Sequence, residues 1–219
     1  MIAQINGIDL YYEKTGSGRP LLLVHGNGED HTIFDVAIEE LKEHFTCYAV
    51  DSRGHGQSTP VNELHYEDMS RDMMALMDHL DLHDVLFYGF SDGGIVGLLT
   101  ASRCDRVTGL IVSGANVSPE GVSMMIRVLF RAIYLFKRDP KIKLMIKEPH
   151  ITDDILKKIK IPTLVLAGEK DLILESETRH IADSIPRAVM KILPGEGHGS
   201  YIIHNRKIAQ LILDFCTGS

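Results

Sequence analysis

Residues 85 to 99 constrain this chain more than any other stretch. Val85-Leu86-Phe87-Tyr88 is apolar, Gly89-Phe90-Ser91-Asp92-Gly93-Gly94 breaks the run, and Ile95-Val96-Gly97-Leu98-Leu99 is apolar again. That order predicts a strand, a sharp turn and a helix. A serine on such a turn is pushed into a strained conformation with its hydroxyl exposed, and the small residues around it keep other side chains away. The pattern is G-x-S-x-G, and it makes Ser91 the candidate nucleophile. Glycine and serine are common, so its weight comes from the flanking runs and from partners further along the chain.

The remaining apolar runs set the fold class. Asn6-Gly7, between Ile2-Ala3-Gln4-Ile5 and Ile8-Asp9-Leu10-Tyr11-Tyr12, signals a tight hairpin. Strands are predicted over Pro20 to Val24, Phe45 to Val50, Val85 to Tyr88, Gly109 to Ser113, Pro162 to Ala167 and Val189 to Leu193. Continuous apolar runs suit strands buried on both faces. Met69, Met73, Leu76, Met77 and Leu80 recur at helical spacing, as do Ile208, Leu211, Ile212 and Phe215. The methionine stripe reads as a core face. Strands alternating with helices imply an α/β fold with a mostly parallel sheet and an antiparallel strand at one edge. Sites in such sheets gather at the carboxyl ends of the strands.

A serine hydroxyl needs a base to take its proton, and the base needs an orienting group. Gly168-Glu169-Lys170-Asp171 and Gly195-Glu196-Gly197-His198-Gly199 each follow a predicted strand. The order Ser91, Asp171, His198 suits nucleophile, acid and base. The loop Gly114-Ala115-Asn116 holds no carboxylate, which favours Asp171 as the acid, with Glu169 in reserve. A developing oxyanion needs two backbone N–H donors. Asp92, directly after the nucleophile, and Asn27, in His25-Gly26-Asn27-Gly28, are the candidates. His25, Asp51, Arg53 and His55 read as residues that hold loop geometry.

With Asp51-Ser52-Arg53-Gly54-His55-Gly56-Gln57-Ser58 added, four motifs stand in order, and the chain resembles the α/β-hydrolase superfamily over nearly its whole length. The resemblance implies an eight-stranded sheet, a Ser-Asp-His triad and no cofactor. Haloalkane dehalogenases and epoxide hydrolases of that superfamily carry aspartate as nucleophile, whereas here the elbow position is Ser91. The Ser-Asp-Gly-Gly variant resembles hydrolases of amino-acid esters, so the Asp92 carboxylate has two readings. It either pairs with a substrate ammonium or caps its helix.

Val117 to Lys160 breaks the alternation. It carries ten Lys and Arg against five Asp and Glu, in a chain whose net charge is −7. An inserted helical cap over residues 117–160 is expected, on a core of 1–116 and 161–219. Met125 and Leu129 are its candidate substrate-binding side chains. Three readings of its apolar run stand together: packing on the core, lining a pocket, or meeting a membrane surface.

The acidic balance gives no reason to expect a nucleic-acid partner, and no apolar run approaches the roughly 20 residues of a membrane span. The N-terminus lacks the charged start and long apolar segment of a signal peptide. Cys47, Cys104 and Cys216 have no metal or redox spacing, which suggests reduced thiols, a cytoplasmic setting and no metal. The sequence-level reading is a cofactor-free serine hydrolase that cleaves small carboxylic esters, or related acyl compounds, through an acyl-enzyme. Thioester, lactone and perhydrolysis chemistry stay open, as does a ligand-sensing protein of the same fold with little turnover.

Overall fold

The computed structural model describes residues 1–218. Its first two strands, β1 (Ile2–Ile5) and β2 (Ile8–Gly16), form the hairpin announced by Asn6-Gly7. Both turn residues have positive φ, 48° and 76°, as a two-residue hairpin turn requires. After them come β3 (Arg19–Val24), α1 (Asp35–Leu41), β4 (Phe45–Val50) and α2 (Tyr66–His79). The nucleophile turn joins β5 (Val85–Phe90) to α3 (Asp92–Ala101), and β6 (Val107–Ser113) follows. Between β6 and the next strand lie α4 (Met124–Lys137), α5 (Pro140–Lys147) and the single turn α6 (Asp153–Leu156). The chain closes with β7 (Thr163–Lys170), α7 (Glu175–Ser184), β8 (Ala188–Gly197) and α8 (Lys207–Thr217).

The eight strands form one sheet in the order β1-β2-β4-β3-β5-β6-β7-β8. β2 runs antiparallel to β1 and β4, and the rest of the sheet is parallel. Side chains alternate across it, so one apolar run feeds two cores. Leu22, Val24, Val85 and Phe87 pack with α2, α3 and α7 on one face. Leu21, Leu23, Leu86, Tyr88 and Phe90 pack with α1 and α8 on the other. The methionine stripe of α2 belongs to the first of these cores.

The predicted strands keep their places, several with longer ends, and two of the extensions reach the candidate site. β7 continues through Gly168-Glu169-Lys170 and β8 through Gly195-Glu196-Gly197, because the two segments pair as far as Lys170 and Gly197. Asp171 and His198 therefore sit at the first positions past their strands. All three cysteines are unpaired, and burial pushes the Cys47 thiol up to about 12. Among the described residues no helix is long and apolar enough to cross a membrane.

Candidate active site

The β5–α3 turn sets the site. Ser91 has φ 52° and ψ −114°, a conformation that costs a non-glycine residue about 1–3 kcal/mol. Its neighbours hold it there. Gly89 and Gly93 allow backbone to touch backbone: a Cβ on Gly89 would lie 2.1 Å from the Gly93 carbonyl oxygen, and one on Gly93 would lie 2.1 Å from that of Val24. The Ser91 N–H donates to Ser113 O at 2.8 Å, which ties the turn to β6.

Residues far apart in sequence converge on this serine. His198 Nε2 lies 3.0 Å from Ser91 Oγ, and its Nδ1 lies 2.6 Å from Asp171 Oδ1. Asp171 also accepts the Ile173 N–H at 2.9 Å and the Gly168 N–H at 3.4 Å. A carboxylate surrounded by N–H donors favours the tautomer in which His198 Nδ1 carries the proton, leaving Nε2 to accept from Ser91. The ring of Phe90 packs on the imidazole at 4.9 Å between centroids. Gly114 completes the arrangement, since a Cβ there would lie 2.7 Å from His198 Cε1. The loop after β6 thus makes room for the imidazole as well as lacking a carboxylate. Glu169 turns elsewhere and accepts the Gly195 N–H at 2.7 Å.

The first turn of α3 supplies an unpaired donor. The Gly93 N–H is taken by His25 O, and those of Gly94 and Ile95 by Ser91 O. Among the described residues the Asp92 N–H has no such partner, as expected of an N-terminal helix position. The other candidate, Asn27, lies in a turn closed by the Glu29 N–H on Gly26 O, with Gly28 at φ 76°. Glu29 Oε2 accepts the Gly26 N–H at 3.0 Å and braces the same turn.

Behind these loops a buried polar cluster fixes the geometry. His25 Nδ1 donates to Gly26 O at 2.7 Å, and Nε2 accepts the Ser52 N–H at 3.0 Å, so the ring is neutral, and burial lowers its pKa. Burial lowers that of His55 to about 4. Asp51 accepts the His31 N–H and ring at 2.8 and 2.7 Å and the Gln57 N–H at 2.8 Å. Arg53 forks onto buried Asp72 at 2.5 and 2.6 Å, pinning its loop to α2. Asp30, His31 and Asp51 come close enough to offer three ligand atoms to a cation, yet each already hydrogen-bonds within the loop.

A cavity of about 200 Å³ opens at Ser91. Asn27, Asp92 and His198 line it, together with Glu29, Tyr66, Phe130 and Glu148, which sequence reasoning did not single out. Met125 and Leu129 correct the expectation: they are 77% and 50% exposed and do not line the cavity. α4 turns Phe130 inward instead, and the apolar stripe that carries Met125 and Leu129 faces out. The Asp92 carboxylate is buried and accepts from Tyr66 OH and Asn27 Nδ2, each at 2.8 Å. Burial raises its pKa to about 6 against those two bonds, which pull it down. Asn27 Nδ2 also donates to Lys141 O at 3.2 Å, linking this loop to α5. Glu29 lay in view, two residues past Asn27 in the same glycine loop. Nothing local to Tyr66 or Glu148 marks them.

A family model for the alpha/beta hydrolase fold matches residues 19–140. The chain belongs to the alpha/beta hydrolase fold family. Within that family it is 28% identical to the AB hydrolase superfamily protein YisY of Bacillus subtilis over 257 residues, covering 95% of each chain. It is 27% identical to the serine hydrolase BPHL of Homo sapiens over 247 residues, covering 96% of this chain and 84% of that one. Among solved structures, a thermophilic esterase from Thermogutta terrifontis superposes with a TM-score of 0.82 at 26% identity, over 98% of this chain and 95% of the other. An enol-lactonase from Burkholderia xenovorans LB400 has the same fold, with a TM-score of 0.83 at 23% identity, over 99% and 100%. At the level these relatives share, the chain is an alpha/beta hydrolase-fold hydrolase.

Proposed function

We propose that the protein is a serine hydrolase of small carboxylic esters that works through an acyl-enzyme. The observation that carries this reading is the continuous hydrogen-bonded line from Asp171 through His198 to Ser91, at 2.6 and 3.0 Å. In the first half-reaction His198 Nε2 takes the hydroxyl proton as Ser91 Oγ bonds to the carbonyl carbon. The carbonyl oxygen becomes an oxyanion, received by the N–H groups of Asn27 and Asp92. His198 then gives its proton to the leaving alcohol as the C–O bond breaks. Water enters, loses a proton to His198 and attacks the acyl group, and the acid departs with Ser91 restored. Asp171 fixes the imidazole tautomer and offsets the charge of the imidazolium throughout.

The cavity narrows the substrate class. At about 200 Å³ it is smaller than most ligand sites, which run from about 300 to 1,000 Å³. Three carboxylates line it, Glu29, Asp92 and Glu148, and no lysine or arginine does. Those charges favour an ester bearing a primary amine. Two donors already hold the Asp92 carboxylate, and a carboxylate has acceptor capacity left for an ammonium. The human relative, a serine hydrolase by name, and the esterase neighbour agree with the reaction type. Ser91→Ala tests it. Turnover of p-nitrophenyl acetate should fall by at least ~10⁴-fold with the melting temperature unchanged. Wild-type turnover in that variant excludes the mechanism.

A further inference from the structure

The outer face of α4 is built against the usual order of a globular helix. No residue of this helix is fully buried. Six of the eleven exposed large hydrophobic residues of the described chain belong to it: Met124, Met125, Val128, Leu129, Leu135 and Phe136, the last 88% exposed. At 3.6 residues per turn these six and Ala132 share an arc of roughly 140°, with no charged residue inside it. Phe130 lies on the opposite side and lines the cavity. A surface helix of a globular domain turns such a stripe toward the core. Here the stripe faces water, and an exposed apolar patch of this kind marks an interaction site.

The edges of the stripe identify the partner. Arg127 and Arg131 flank one side of it, and Arg138, which ends the helix, falls on that same side. Arg127 is engaged with Glu120 at 3.7 Å, while α4 itself contains no aspartate or glutamate. An apolar face bordered by basic side chains and free of acidic ones is the pattern of a helix that lies in the headgroup region of an anionic bilayer. We propose that α4 is a membrane-surface anchor, with its outward face in the acyl boundary and Arg131 and Arg138 on lipid phosphates.

Charge argues against a second copy as the occupant, because a twofold contact through α4 would set two basic helices side by side. It also orients the molecule. The segment 117–160 holds ten basic residues against five acidic ones, while the whole chain is net −7. A negative surface therefore attracts this end and repels the rest. Since Phe130 lines the cavity from the inner side of α4, docking holds the site within about one helix diameter, 10–12 Å, of the lipid.

Flotation of the whole protein with vesicles tests the proposal. Vesicles of equal phosphatidylglycerol and phosphatidylcholine should carry the wild type upward at low salt, and pure phosphatidylcholine vesicles should leave it behind. Val128→Glu/Leu135→Glu/Phe136→Glu should lower the bound fraction at least tenfold, and so should Arg131→Glu/Arg138→Glu. Both variants should keep the wild-type melting temperature, which separates lost binding from lost folding. Three results would overturn the anchor: no flotation of the wild type, equal flotation on the neutral vesicles, or undiminished flotation of the triple variant. A wild-type dimer that the triple variant abolishes, with no vesicle binding, would assign the face to self-association instead.

Discussion

The β5–α3 turn and the segment that carries α4 are held in opposite ways. Around Ser91 the turn is fixed chiefly by backbone: glycines at 89 and 93 admit neighbouring carbonyls, and Ser113 and His25 take the N–H groups of Ser91 and Gly93. Between the backbone bonds at its ends, Ser123 N–H to Leu172 O and Ile151 N–H to Val117 O, the segment of α4 and α5 is attached by a few side-chain links. These are Asn27 to Lys141 O, His65 and the Tyr66 N–H to Glu148, and Lys143 to Glu63. Only Leu144 of these two helices is fully buried. The first region can hold reacting atoms to a fraction of an ångström because its packing leaves no other arrangement. The second can shape the cavity and meet an outside surface because little of it is committed to the core.

Substitutions sharpen that contrast, beginning with the largest effect. Asp171→Asn should lower kcat by about 10⁴-fold on a p-nitrophenyl ester, since it leaves the His198 tautomer unguided. Its melting temperature should stay near wild type, and steady-state kinetics with a thermal melt reads both. Phe87→Ala, in the strand before the turn, removes a fully buried ring and should cost about 3–5 kcal/mol by urea unfolding. Phe136→Ala, on the exposed face of α4, should stay within about 0.5 kcal/mol. Equal costs would erase the distinction between the two regions. Gly114→Ala pushes a Cβ against His198 at a position with φ 60°. It should lower kcat by about tenfold or more and stability by about 1 kcal/mol, seen in kinetics and unfolding together.

The smallest effect concerns Asp92. Its ordinary value of 3.8 is raised to about 6 by burial, so the folded chain keeps this proton to higher pH than the unfolded chain. The associated stability is full below about pH 4 and is lost as pH rises through about 6. Ammonium binding needs the ionised form and changes the other way. The kcat/KM ratio of an amine-bearing ester to its neutral analogue should therefore rise through about pH 6, reaching about tenfold or more. Taking the ratio cancels every group that both substrates require. Asp92→Asn should leave the ratio flat. A ratio that is flat in the wild type would leave the carboxylate only its bonds to Tyr66 and Asn27.

Local signals carried the strands and the turn. Runs such as Leu21 to Val24 are apolar because each strand feeds a core on both faces, and Asn6-Gly7 needed nothing beyond itself to make a hairpin. Ser91, Asp171 and His198 were legible for a related reason: each stands just past a strand, and parallel strands bring their carboxyl ends to one edge. The rest of the cavity lining was not legible. Tyr66 and Glu148 reach it only through the packing of α2 and α5, and no spacing in the chain encodes that meeting. The facing of α4 stayed open among three readings, because periodicity reveals an apolar stripe but not which side the core lies on. Met125 and Leu129 occupy that stripe, and Phe130, one residue on from Leu129, points the other way.

The mechanism requires an acyl group carried on Ser91. Wild-type protein mixed with p-nitrophenyl acetate and quenched in acid within its first turnovers should yield one acetyl group, mapped to Ser91 by peptide mass spectrometry and absent in Ser91→Ala. Acetylation at another residue, or turnover with no acylated chain in either protein, would contradict it.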